Sequence, residues 1–287
     1  MIAALTRLTE RLLATRFGRL VVAYAESGAP NYAAGVAFNA FFTMFPLILG
    51  LLAILGIIVR SNEIEAEVRT TIVSVFPIAD HESLVAALQG VKENAGWFAA
   101  VSIGGLLWSG TSLFCSLEFA LDEIYGCRGR DPIRQRLMGL QMLGIFVVAI
   151  VVAIVANSAI AFIPDIPHLG VLMGAAVLIA LMLAIYRIVP NRKVSFSEEW
   201  RGAVLAGISI ELVTLLFPLY SQITRSFSSY GQGFALMFLL ATWLYLLSQL
   251  LLVGAVFNRM LTGGVPELEH LAAIAGAKDS LRRRMEA

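Results

Sequence analysis

Residues 109–136 read SGTSLFCSLEFALDEIYGCRGRDPIRQR. An apolar run closes on Glu118, Asp122 and Glu123, and Arg128, Arg130, Arg134 and Arg136 follow directly. Acids at the C-terminal end of a helix oppose its macrodipole, so they require compensation. The arginines supply it, and arginines directly after an apolar span also hold a loop on the cytoplasmic side of a membrane. The stretch therefore reads as the end of a transmembrane helix and the start of a cytoplasmic loop.

Six segments are long and apolar enough to cross a bilayer, which takes about 20 residues. They are 33–59, 96–118, 137–163, 169–189, 202–222 and 233–260, and none has Lys or Arg in its apolar interior. Backbone polar groups have no water partner in hydrocarbon, so each span is a helix. The predicted fold class is all-α: a polytopic membrane protein with six transmembrane helices. Composition agrees, at 59% hydrophobic and 14% charged with a mean hydropathy of +0.81, where soluble domains are about a quarter charged. The net charge of +1 excludes the basic field that drives nucleic-acid binding.

Of the 21 Lys and Arg residues, 17 fall in the N-terminal segment, the second and fourth loops and the C-terminal tail. Only Arg60, Arg69, Lys92 and Arg225 fall on the other side. The positive-inside rule then puts both termini in the cytoplasm of a bacterial inner membrane. Residues 1–30 are expected to form a cytoplasmic amphipathic helix, with Leu5, Leu8, Leu12 and Leu13 on one face. Residues 31–261 form the transmembrane domain, and 262–287 a polar cytoplasmic tail. In the long external loop, Ile64, Val68, Ile72 and Val75 share a helical face, as do Leu84, Leu88 and Val91, so two short amphipathic helices are expected. A re-entrant hairpin is the alternative there.

Polar residues inside the spans mark candidate sites. Thr111, Cys115, Glu118, Asp122 and Tyr125 are spaced to share one face, which lipid would reject. A pore lining and a hydrogen-bonded helix seam both fit that stripe. Glu211 lies midway along the fifth span, where a charged carboxylate costs about 2.5–3.5 kcal/mol. Proton coupling or coordination of a polar headgroup is the functional reading of Glu211, and a neutral acid acting as helix glue is the structural one. Gly207, Thr214, Pro218 and Ser221 continue its face. Pro46 and Pro218 each interrupt a span and are expected to kink it. Asn39, Asn157 and Gln249 add hydrogen-bonding capacity, and Gly170 and Gly174 form a GxxxG packing motif. Arg128 and Arg130 are the expected partners of Glu118 and Asp122, as a gate or as headgroup contacts.

Soluble-enzyme chemistry has little footing. His81, His168 and His270 are far apart, Cys115 and Cys127 lack metal-ligand spacing and are expected as free thiols, and no catalytic or phosphate-binding motif occurs. No enzyme activity, metal or cofactor is expected. The expected partners are membrane lipids and an amphiphilic substrate, not nucleic acid, with homo-oligomerisation open.

Three blocks resemble the YihY/BrkB family of bacterial inner-membrane proteins. They are AAGVAFNAFFTMFPLILGLLAILG (33–56), LWSGTSLFCSLEFALDEIYGCRGRDPIRQR (107–136), and the region running from the basic loop at Pro190 through Gly202-Ala203 to YGQGFALMFLLATWLYLLSQLLLVGAVFN (230–258). The resemblance implies six spans and an envelope role, with export of lipid or another amphiphile suggested for some members and virulence-related resistance to host killing for others. Where family members tend to carry Gly-Ala-Glu late in the last span, this chain has Gly254-Ala255-Val256. A ribonuclease label once attached to the family finds no support in these residues. The sequence thus points to a transporter or translocase of a lipid-like or anionic amphiphile, or alternatively to a non-transporting envelope scaffold.

Overall fold

The computed structural model describes residues 15–58, 95–160, 169–192, 196–218 and 232–262. Among these there are seven helices and no strand. They are α1 (Arg16–Glu26), α2 (Ala29–Ile58), α3 (Ala95–Tyr125), α4 (Pro132–Ile160), α5 (Leu169–Ile188), α6 (Phe196–Leu215) and α7 (Gln232–Leu261). Of the expected helix over residues 1–30, α1 covers Arg16–Glu26, and residues 1–14, like the amphipathic pair in 60–94 and the polar tail after 262, lie outside the described residues.

Local chemistry explains the helix ends. The Thr15 hydroxyl accepts the Gly18 N–H at 3.0 Å and starts α1. Gly28, at φ +70°, turns the chain so that α2 begins one residue later. After α3, Gly126 takes φ +68°, the Gly126 N–H donates to the Glu123 carbonyl and the Cys127 N–H to the Asp122 carbonyl. That is a Schellman motif, and it requires the left-handed residue that glycine supplies without strain.

Helices α2 to α7 form a closed ring. Each packs on its sequence neighbour, and α7 returns to pack on α2. α1 lies outside against α7 and α2. Five of the helices, α2, α3, α4, α5 and α7, are long and apolar enough to cross a membrane. At the predicted fifth span, α6 has 20 described residues that include Glu198, Glu199, Arg201 and Glu211, and it falls outside that set. It starts ahead of the predicted 202 because the charged first turn is itself helical, and it closes at Leu215 in front of Pro218. There the Leu216 N–H bonds back three residues to Val213. Pro46, by contrast, lies inside the continuous helix α2 and rests on Gly105 of α3, where a Cβ would approach the proline Cβ to 3.0 Å.

The ring helices line a partly open cavity of about 260 Å³. Each of the six helices contributes to its wall, for example Val36, Phe114, Leu143, Leu181, Ile210 and Leu247. The hydroxyls of Thr43 and Ser248 also line it, but both donate to carbonyls of their own helix. The wall therefore presents hydrocarbon.

Candidate functional site

The polar site lies at the basic end of the ring, where α3, α5 and α7 finish and α2, α4 and α6 begin. The α3 stripe faces inward: Thr111, Glu118 and Asp122 are buried, and Cys115 and Tyr125 are half-buried. Glu118 is fully buried and its Oε1 accepts from Arg130 at 2.8 Å. The same guanidinium donates to the carbonyls of Ile188 (2.9 Å), Val189 and Pro190 (3.0 Å). Those carbonyls close α5, where the helix dipole is negative and last-turn acceptors lack intrahelical donors. Arg130 therefore caps α5 and neutralises an acid on α3 with one planar group.

Asp122 has a different partner. Its Oδ1 accepts the Asn191 N–H at 2.8 Å, and the Asn191 side chain donates to the Arg128 carbonyl at 2.8 Å. The Arg128 side chain itself is exposed, so it contributes backbone rather than charge to this site. Further along the stripe, Arg136 donates to the hydroxyls of Thr111 at 3.0 Å and Ser112 at 3.1 Å and lies over the Trp108 ring.

A second acid, Glu199 in the first turn of α6, is also fully buried. Its carboxylate accepts from Arg192, from Tyr125 Oη at 3.0 Å and from Asn258 Nδ2 at 2.7 Å. Arg192 in turn stacks over the Tyr125 ring, 3.7 Å from its centroid. Asn258, fully buried on α7, also accepts the Gly202 N–H at 2.6 Å. A Cβ on Gly202 would strike the Gly254 carbonyl and Asn258, so α6 and α7 meet here at backbone contact. Tyr186 of α5 seals the junction by donating to the Leu251 carbonyl at 2.6 Å. Cys127 sits beside this cluster as a free thiol, and burial pushes it above its ordinary pKa.

Sequence reading singled out neither Glu199, Arg192, Asn258 nor Tyr186 as site residues. A signal existed for Glu199, since an acid in the first turn of a helix complements its dipole. Asn258 closes an apolar run, a weaker cue, and Tyr186 offers none.

The other predicted residues lie elsewhere. Glu211, half-exposed on α6, rests against Gly174 of α5. A Cβ there would come within 3.0 Å of its Oε1, so the GxxxG glycine forms the notch that holds the acid. No ion pair or hydrogen bond among the described residues involves that carboxylate. Thr214 on α6 and Pro218 just past its end are exposed, and the Thr214 hydroxyl donates to the Ile210 carbonyl. Asn39 donates to the Gly35 carbonyl of its own helix at 3.0 Å. Among the described residues, no group of three or more His, Cys, Asp or Glu side chains could hold a metal ion.

A family model described as "Virulence factor BrkB" matches residues 20–273, which include every helix of the ring. The chain belongs to the BrkB family. It is 23% identical over 256 residues to a UPF0761 membrane protein of Pseudomonas aeruginosa, covering 86% of this chain and 61% of that relative. A UPF0761 membrane protein of Vibrio vulnificus is 25% identical over 270 residues, covering 88% of this chain and 83% of that relative. The chain thus spans about three fifths of the length of the Pseudomonas relatives it matches. No solved structure matches it. The BrkB ring described above is accordingly an integral membrane architecture with several apolar spanning helices.

Proposed function

We propose that this BrkB protein is a multi-pass inner-membrane protein, with both termini cytoplasmic, that binds and moves a lipid-like or anionic amphiphilic molecule. The observation that carries this reading is the cavity of about 260 Å³ inside the six-helix ring, with its hydrocarbon wall and a buried ionic cluster beyond one end. A dry cavity of about 150 Å³ lined by aliphatic and aromatic side chains takes up benzene, so a larger one of the same chemistry suits a stretch of acyl chain. The polar part of the amphiphile then meets the basic end, where Arg128 and Arg134 are exposed and face the anionic cytoplasmic leaflet. In this reading α6 is the fifth of six spans, and Glu211 links movement to a proton in mid-bundle. The mechanism assigns no covalent chemistry to any residue and calls for no cofactor.

A non-transporting scaffold is the second reading. It draws on the backbone contact of Gly202 with Gly254 and on the four bonds made by Arg130, all of which resist rearrangement of the basic end. Native mass spectrometry of gently extracted protein separates the two. The wild type is expected to retain a defined lipid that Ala40→Phe, which fills the cavity, releases. The same bulk membrane lipid in both proteins would sink the amphiphile reading and leave the scaffold.

A further inference from the structure

Three buried carboxylates converge at the basic end, and among the described residues two arginines pair with them. Glu118 has Arg130 and Glu199 has Arg192. Asp122, 4% exposed, has the Asn191 N–H and, among the described residues, no ion pair. Its setting favours positive charge further: it occupies the last turn of α3, where the helix dipole is negative, one turn from Glu118 and beside Glu123.

Two oxygens record the same deficit independently. Glu118 Oε2 and Asp122 Oδ2 are both buried and without a hydrogen-bond partner. The two residues lie four apart on one helix face, a spacing that brings side chains into contact. Of the other groups around them, Arg192 keeps one buried N–H without a partner, at Nε, and the rest are engaged. Tyr125 and Asn258 donate to Glu199, Arg130 is engaged by Glu118 and the end of α5, and Arg192 by Glu199. Cys127, the remaining titratable neighbour, is a neutral thiol. A buried carboxylate without a cation neutralises rather than stay charged away from water. One proton answers both vacancies at once, as a donor on Asp122 and as a bond to the spare oxygen of Glu118.

We infer that Asp122 is held as the neutral acid, donating from Oδ2 to Glu118 Oε2, and that this carboxyl pair is a one-proton site at the floor of the apolar cavity. Leu117 and Ile185 line that end of the cavity, and buried Glu118 follows Leu117 in α3. The site exists whether or not an amphiphile occupies the cavity, so it stands apart from the proposed function.

Infrared spectroscopy of the full chain in lipid bilayers at neutral pH, with carbon-13-labelled aspartate, tests it. The wild type is expected to show a carbonyl stretch of a protonated carboxyl that moves with the aspartate label and is lost in Asp122→Asn. Glu118→Gln should keep that band but shift it, because the acceptor changes. If Asp122→Asn does not fold, the labelled wild-type band and its shift in Glu118→Gln decide the matter. Absence of any labelled band, or a band unchanged in both variants, would overturn the inference. So would a band that emerges only when choline replaces sodium at constant ionic strength, since a metal ion would then supply the missing charge.

Discussion

Two acids of helix α6 occupy opposite settings. Glu199, in the first turn, is fully buried with an arginine, a tyrosine and an asparagine on its carboxylate. Glu211 lies about 18 Å further along the same helix, from the ~1.5 Å rise per residue, and it is half-exposed against a glycine. Sequence reading singled out Glu211 and passed over Glu199, because a lone acid inside an apolar run stands out while an acid near its edge does not. The contrast teaches that hydropathy exposes the isolated charge and hides the networked one. Tertiary organisation concentrates at the basic end, and further along α6 Glu211 is held by little more than a notch.

This contrast predicts an order of effects. Arg130→Ala should be the most damaging change, because it leaves Glu118 charged and buried and uncaps α5. A loss of about 3–5 kcal/mol is expected, read as a large drop in thermal unfolding midpoint or in folded yield after membrane extraction. Gly254→Ala comes next. Its Cβ would approach the Gly202 carbonyl to 2.7 Å and the Ala206 Cβ to 2.8 Å and would also press on the Tyr186 hydroxyl, so overpacking of about 1–3 kcal/mol is expected in the same assay. Glu211→Gln should move stability least, by less than about 1 kcal/mol, since it removes no hydrogen bond or ion pair. Its effect belongs instead to the pH dependence of substrate movement in reconstituted vesicles. If Glu211→Gln destabilised the fold more than Arg130→Ala, the contrast between the two regions would collapse.

The helices were legible in the sequence to within a few residues over most of the chain, and their errors share a cause. The second predicted span ends at 118, while α3 continues to Tyr125. The fifth is predicted from 202, while α6 begins at Phe196. In both cases the apolar run stops before the helix does. Apolarity reports where hydrocarbon contact stops, whereas a helix stops where its hydrogen bonding is redirected, as Gly126 does for α3. Asp122, Tyr125 and Glu199 lie in these helical extensions, and Arg130, Asn191 and Arg192 come from the connections between helices, which is why Glu199 and Arg192 escaped notice. The inward stripe from Thr111 to Tyr125 was readable because a 3.6-residue period fixes which side chains share a face.

By itself, then, the sequence determined that the chain is helical and membrane-embedded, with basic residues gathered at one set of helix ends. Those properties follow from one-dimensional quantities, namely the length of an apolar run and the position of a charge along it. Only the tertiary structure decided that six helices close into a ring around an apolar cavity. It alone decided that Arg130 serves two helices at once, and that three acids meet two arginines. These depend on residues far apart in the chain, such as Glu118 with the end of α5 or Glu199 with Asn258, whose meeting is set by helix packing and leaves no local trace in the sequence.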